Sequence, residues 1–173
     1  MCKSKVGEKG EAKANAFLRD IIIPYGIVPG LTTDALNYPK AFNVEYLTEI
    51  ALAKIGGYTY LDEDGYDFDD YSDSKTSSVE PGKQVSIPSL EEKIGDIRCI
   101  VYNPFYDKLD YFFFPYNKWK EIEVACYGKQ NKKTRIRSSY NVKTDSYKKF
   151  EEFRVFSFQQ LASKKSTISE KNA

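Results

Sequence analysis

The chain has 173 residues, 41% hydrophobic and 15% aromatic, the composition of one folded domain and not of a disordered tail. It contains no histidine, which excludes histidine-based nucleases, Ser-His-Asp hydrolases and histidine-ligated zinc enzymes; any catalysis must use the other polar side chains or a hard metal ion. The net charge of +1 hides an uneven layout: Asp62 to Glu80 carries eight acids against Lys75, net −7, and Lys129 to Lys149 carries eight bases against Asp145, net +7.

Residues 7–22 predict a helix, with Ala14, Phe17, Leu18, Ile21 and Ile22 on one stripe, stopped by the turn Pro24-Tyr25-Gly26. A second helix is expected after Asn43 as N-cap, with Val44, Leu47, Ile50, Ala51 and Ile55 on one side and Gly56-Gly57 closing it. Glu45 and Glu49 lie i, i+4 on its flank. Short strands are expected at 58–61, 66–68 and 73–79, the last two joined as a hairpin through Asp69-Asp70-Tyr71-Ser72. A further strand is expected at 84–87 and a helical turn at 89–92. The runs "DIRCIVY" and "LDYFFFP" predict a buried central hairpin, since β-branched and aromatic residues dominate both arms. Strand patterns recur at 119–127, 134–140 and 153–158, with a short helix after Ser157. The reading is one α/β (α+β) domain over residues 1–163, a central mixed β-sheet flanked by helices, with a disordered tail at 164–173. No apolar run approaches the roughly 18 residues of a membrane span. The first residues lack a signal-peptide core, and Cys2, Cys99 and Cys126 fit no metal or disulfide spacing. A soluble cytoplasmic protein is therefore expected.

The acidic stretch carries the chemistry. On a strand, Asp73 and Lys75 share a face, while Ser74 points the other way and offers its carbonyl. With 69–72 as a turn, Asp67 would lie across from Asp73, at a cross-strand spacing of about 5 Å that lets two carboxylates share one ion. Mg²⁺ takes oxygen ligands of this kind. A lysine beside it can orient a bound water and offset phosphate charge, which are the parts that metal-assisted phosphodiester hydrolysis needs. A solvated acidic loop with Lys75 as counter-charge is the plainer reading. An EF-hand is excluded, since the sixth residue counted from Asp62 is Asp67 and not glycine.

Asp67 with Asp73-Ser74-Lys75 resembles the split D…(D/E)xK motif of the PD-(D/E)xK nucleases, which include many type II restriction endonucleases. The runs "YDFDDYSDSKTSSV", "IGDIRCIVYNPFYDKLDYFFFP" and "KKFEEFRVFSFQQLA" resemble the layout of small restriction enzymes. The resemblance implies a restriction-endonuclease-like sheet with the motif on its central hairpin. It implies Asp67 and Asp73 as metal ligands with the Ser74 carbonyl, Lys75 as catalytic lysine, Mg²⁺ as cofactor with Mn²⁺ able to substitute, and a homodimer on double-stranded DNA. Many members add a helix glutamate; Glu49 fits that place, with Glu45 and Glu11 as alternatives. The gap from Asp67 to Asp73 is short and no proline precedes Asp67, so Asp62, Asp64 and Asp70 remain alternatives for the first ligand.

In the basic third, Arg135 and Arg137 share a strand face behind Lys132 and Lys133, with Asn141 and Lys143 following. Arginine and asparagine read base edges and lysine holds phosphates, so this region is the expected DNA contact, against an ordinary charged sheet edge as the plain reading. A non-catalytic DNA- or protein-binding module and a structure-specific repair nuclease are the alternative functions.

Overall fold

A computed structural model describes residues 5–79, 84–86, 94–118, 139–141 and 151–167. Helix α1 (Lys5–Phe17) continues into one π-helical turn, Leu18–Ile22, that ends where Ile23 donates to the Leu18 carbonyl at 2.9 Å. This turn buries Leu18, Ile21 and Ile22 together. Helix α2 (Val44–Gly56) has the two ends that its sequence predicts. The Asn43 side chain accepts from the Tyr46 amide at 3.2 Å, and Gly57 closes the helix at φ 76°, a left-handed conformation that glycine adopts without cost. Helix α3 (Phe158–Ser163) begins at Ser157, whose hydroxyl caps the Gln160 amide.

The main sheet has the order β3–β5–β6–β8, formed by Asp73–Ser78, Ile97–Asn103, Lys108–Phe114 and Arg154–Val155. β3 runs parallel to β5 and the other pairs are antiparallel, so the sheet is mixed and the fold is of the expected α/β class. The β5–β6 hairpin pairs Ile97 with Phe114 through Asn103 with Lys108, and every residue of β5 is buried. Two-stranded pairs join β1 (Tyr60–Glu63) to β2 (Tyr66–Phe68) and β4 (Gln84–Ser86) to β7 (Ser139–Asn141).

Alternation along β5 and β6 sends Arg98, Ile100, Tyr102, Leu109, Tyr111 and Phe113 to the helical face. There Ile100, Tyr102, Leu109 and Phe113 pack with Phe17, Leu18, Ile21, Ile22, Ala51, Leu52, Phe158 and Leu161 in one core. Among the described residues, no helix is long and apolar enough to cross a membrane.

Three expectations change. β2 does not form a ladder hairpin with β3; it pairs with β1, and β3 leaves to join β5. The cause lies in the link: Tyr71 takes a left-handed φ of 63°, which turns the chain sharply, and the Ser72 carbonyl alone receives the amides of Asp67 and Phe68 at 2.9 and 3.2 Å. The motif strand β3 is accordingly at the end of the four-strand order, not on its central hairpin. Residues 164–167, expected in a disordered tail, are built into the fold: Ser166 is buried, and the Thr167 amide donates to Asp96 at 2.7 Å. The helical turn at 89–92, the strand at 119–127 and residues 134–138 lie outside the described residues, as do 168–173.

Candidate active site

Among the described residues, β3 pairs with β5 on one side only. Asp73 turns its amide toward β5, donating to the Asp96 carbonyl at 2.9 Å. The next amide, of Ser74, therefore faces the opposite edge, where it donates to Asp67 Oδ2 at 2.7 Å. The carbonyl of a strand residue lies on the same edge as its amide, so the Ser74 carbonyl faces the side on which Asp67 sits. Asp67 thus reaches Asp73 by capping a strand edge, not as a ladder partner.

Asp73 and Lys75 share a face two residues apart, and Lys75 Nζ lies 2.9 Å from Asp73 Oδ2. Asp73 is almost wholly buried, at 1% exposure. Burial, together with the negative charge of Asp73 and a hydrogen bond to it, pushes the Asp67 carboxyl up to about 7, while the Ser74 amide pulls in the other direction. Asp67 therefore keeps its proton to a higher pH than an exposed aspartate does.

Glu49 comes to this place from α2. Burial raises its pKa, the Tyr60 hydroxyl lowers it by hydrogen bonding, Asp62 and Asp73 raise it, and Lys75 lowers it. Glu49, Asp67, Asp73 and Lys75 therefore act on one another electrostatically. Tyr60 and Asp62 of β1 stand beside them, with Asp62 exposed at a left-handed φ of 53°.

The other candidates have different duties. Asp70 accepts from the Ser72 amide at 3.1 Å and pairs with Arg98 at 3.2 Å, so its carboxylate is committed to the turn. Glu45 accepts from Thr76 at 3.0 Å and pairs with Lys13 at 3.3 Å. Glu11 pairs with Lys40 at 3.1 Å, and Asp64 is exposed in the β1–β2 turn. Asn141 lies on β7 opposite Gln84; Lys132, Lys133, Arg135, Arg137 and Lys143 lie outside the described residues.

Among the described residues, no three acidic or cysteine side chains stand arranged around one point to hold a metal ion. The donor set nevertheless suits a hard cation. Two carboxylates in contact in a desolvated site, with a backbone carbonyl on the same edge, supply oxygen ligands and negative charge. In this geometry the Lys75 ammonium, 2.9 Å from Asp73, offsets part of that charge.

Scans against protein-family models, curated proteins and solved structures find no match to this chain. Sequence reasoning missed Tyr60 as partner of Glu49, and Arg98 and Ser72 as fasteners of the link. Tyr60 looked like one aromatic among many in a short strand; Arg98 looked like an ordinary strand residue.

Proposed function

We propose that the chain is a Mg²⁺-dependent endodeoxyribonuclease of the restriction type, with Mn²⁺ able to substitute, hydrolysing phosphodiesters of double-stranded DNA as a homodimer. One observation carries this reading: Glu49 of α2, Asp67 of β2, and Asp73 and Lys75 of β3 come within electrostatic reach of one another at the edge of β3. A solvated acidic loop would leave these groups exposed and apart, whereas Asp67 and Asp73 are buried.

Asp67, Asp73 and the Ser74 carbonyl would hold the cation, with Glu49 beside them. When bound, a divalent cation supplies Lewis-acid polarisation of the phosphoryl oxygen and a bound water of lowered pKa. The protein's own groups do the rest. Asp67 would release its proton to solvent when the cation takes its place. Lys75, held by Asp73, directs its ammonium hydrogens at the attacking water and at the phosphate, offsetting charge that grows in the transition state. Water oxygen bonds to phosphorus, the bond to the leaving sugar oxygen breaks, and the products are a phosphomonoester and a hydroxyl. The basic region with Lys132, Lys133, Arg135, Arg137, Asn141 and Lys143 would hold and read the duplex. The test is incubation of the protein with plasmid and phage DNA in Mg²⁺. Discrete fragments are expected; intact DNA overturns hydrolysis, a smear overturns sequence specificity, and cutting of branched substrates alone assigns the fold to repair.

A further inference from the structure

Arg98 has no solvent exposure and is the largest fully buried side chain among the described residues. All three of its guanidinium nitrogens are used. Nε donates to the Leu161 carbonyl at 3.3 Å, Nη1 to the Ser72 hydroxyl, and Nη2 to the Tyr58 hydroxyl at 2.8 Å, the Lys164 carbonyl at 2.7 Å and Asp70 at 3.2 Å. The guanidinium lies 4.4 Å from the Tyr58 ring centre and 5.6 Å from that of Phe113.

What these partners adjoin gives the cluster its meaning. Ser72 immediately precedes Asp73, and its carbonyl receives the Asp67 amide at 2.9 Å. Its hydroxyl also donates to Asp70, so Arg98 and Asp70 hold the same turn from two sides. Tyr58 follows Gly57, the C-cap of the helix that carries Glu49, and its hydroxyl also donates to the Lys164 carbonyl at 2.7 Å. One buried cation therefore fastens to β5 the segments that bring Asp67, Asp73, Lys75 and Glu49, and ties them to the end of α3. An apolar side chain of similar volume would fill this place with less desolvation. It would not fix the direction of two hydroxyls and two carbonyls, because hydrogen bonds to a planar guanidinium are directional.

We propose that Arg98 is the positioning residue of this site, acting through Ser72 to set where Asp67 stands against β3. The effect on rate rests on the hydrolytic reading above; the effect on geometry does not.

The experiment uses the full chain and two variants, Ser72→Ala, which leaves Arg98 its other partners, and the more disruptive Arg98→Lys. Amide hydrogen exchange followed by NMR reports the geometry directly. The Ser74 amide, bonded to Asp67, and the Asp67 amide, bonded to Ser72, should exchange about tenfold faster, the loss expected from one weakened hydrogen bond. Ile100 and Val101, in the middle of β5, should keep their wild-type rates. Where wild type cuts DNA, kcat should fall at least about tenfold in Ser72→Ala with little change in KM. Unchanged exchange at Ser74 and Asp67 overturns the proposal, as does equal acceleration at Ile100 and Val101. Selective exchange with an unaltered kcat in an active enzyme overturns it too. If wild type leaves DNA intact, the hydrolytic reading falls, and the exchange pattern alone decides the role of Arg98.

Discussion

The Ser74 amide donates to the Asp67 carboxylate at 2.7 Å, which joins a short two-stranded element to the outer edge of the main sheet at the point where Asp73 and Lys75 emerge. The candidate chemistry follows from that one bond. It brings a second carboxylate to Asp73 without a strand ladder, and it leaves the edge beside Ser74 facing the acids.

Lys75 is expected to matter for rate and little for binding. Lys75→Ala should lower single-turnover cleavage by a factor of about 10² to 10³, the usual cost of removing one preorganised charge-stabilising donor. Its affinity for the same duplex, measured by gel shift in Ca²⁺, should stay within about threefold of wild type. The lysine lies 2.9 Å from Asp73 and belongs to the acidic segment, away in sequence from the basic region assigned to DNA contact.

Asp67 makes stability depend on pH in an unusual direction. Its carboxyl is pushed up to about 7 by burial and by Asp73, against about 3.9 for an exposed aspartate. Between these values the folded state keeps a proton that the unfolded chain has released, so the contribution is fully present below about pH 4 and is lost as pH rises through about 7. Urea unfolding at pH 5 and pH 8 should show wild type losing more stability over this interval than Asp67→Asn, by a few kcal/mol at most. Mg²⁺ should reduce that loss, and its stabilising effect should grow with pH, because the ion replaces the proton.

Tyr60→Phe tests the partner of Glu49. The phenol's hydrogen bond favours the ionised carboxylate, so its removal raises the Glu49 pKa further. The acid limb of the cleavage profile should move to higher pH, and half-saturation by Mg²⁺ should need roughly tenfold more metal. A profile superimposable on wild type would show that Glu49 takes no part.

Gly95 lies against the link that sets the site. A β-carbon there would run into the Tyr71 carbonyl, which is backbone and has little room to yield. Gly95→Ala should therefore cost about 1–3 kcal/mol in thermal or urea unfolding. It should lower cleavage more than an equally destabilising core change such as Val155→Ala, since the displaced turn leads directly into Asp73.

What the sequence disclosed was what local chemistry encodes. Asp73-Ser74-Lys75 was readable because alternation on a strand fixes which side chains share a face, and the β5–β6 hairpin because β-branched and aromatic residues crowd both arms. Asn43 and Gly57 marked the ends of α2 through capping preferences that need no tertiary context. The parallel pairing of β3 with β5 left no such trace, since the two strands are separated by a long connection and each pattern suits either direction. Arg98 was equally hidden. Arginine is seldom fully buried, and nothing local in "DIRCIVY" distinguishes a solvent-facing guanidinium from one enclosed by Tyr58, Ser72, Asp70 and the end of α3. The docking of Ser166 and Thr167 was missed for the same reason: Asp96, which anchors Thr167, acts across 71 residues.

The most direct measurement is X-ray diffraction from crystals soaked in Mn²⁺, with data collected to record its anomalous signal. The expected result is a peak within coordination distance, about 2.1–2.3 Å, of the Asp67 and Asp73 carboxylates, with Lys75 beside it. A map with no peak there, and with these three side chains turned apart into solvent, would contradict the account.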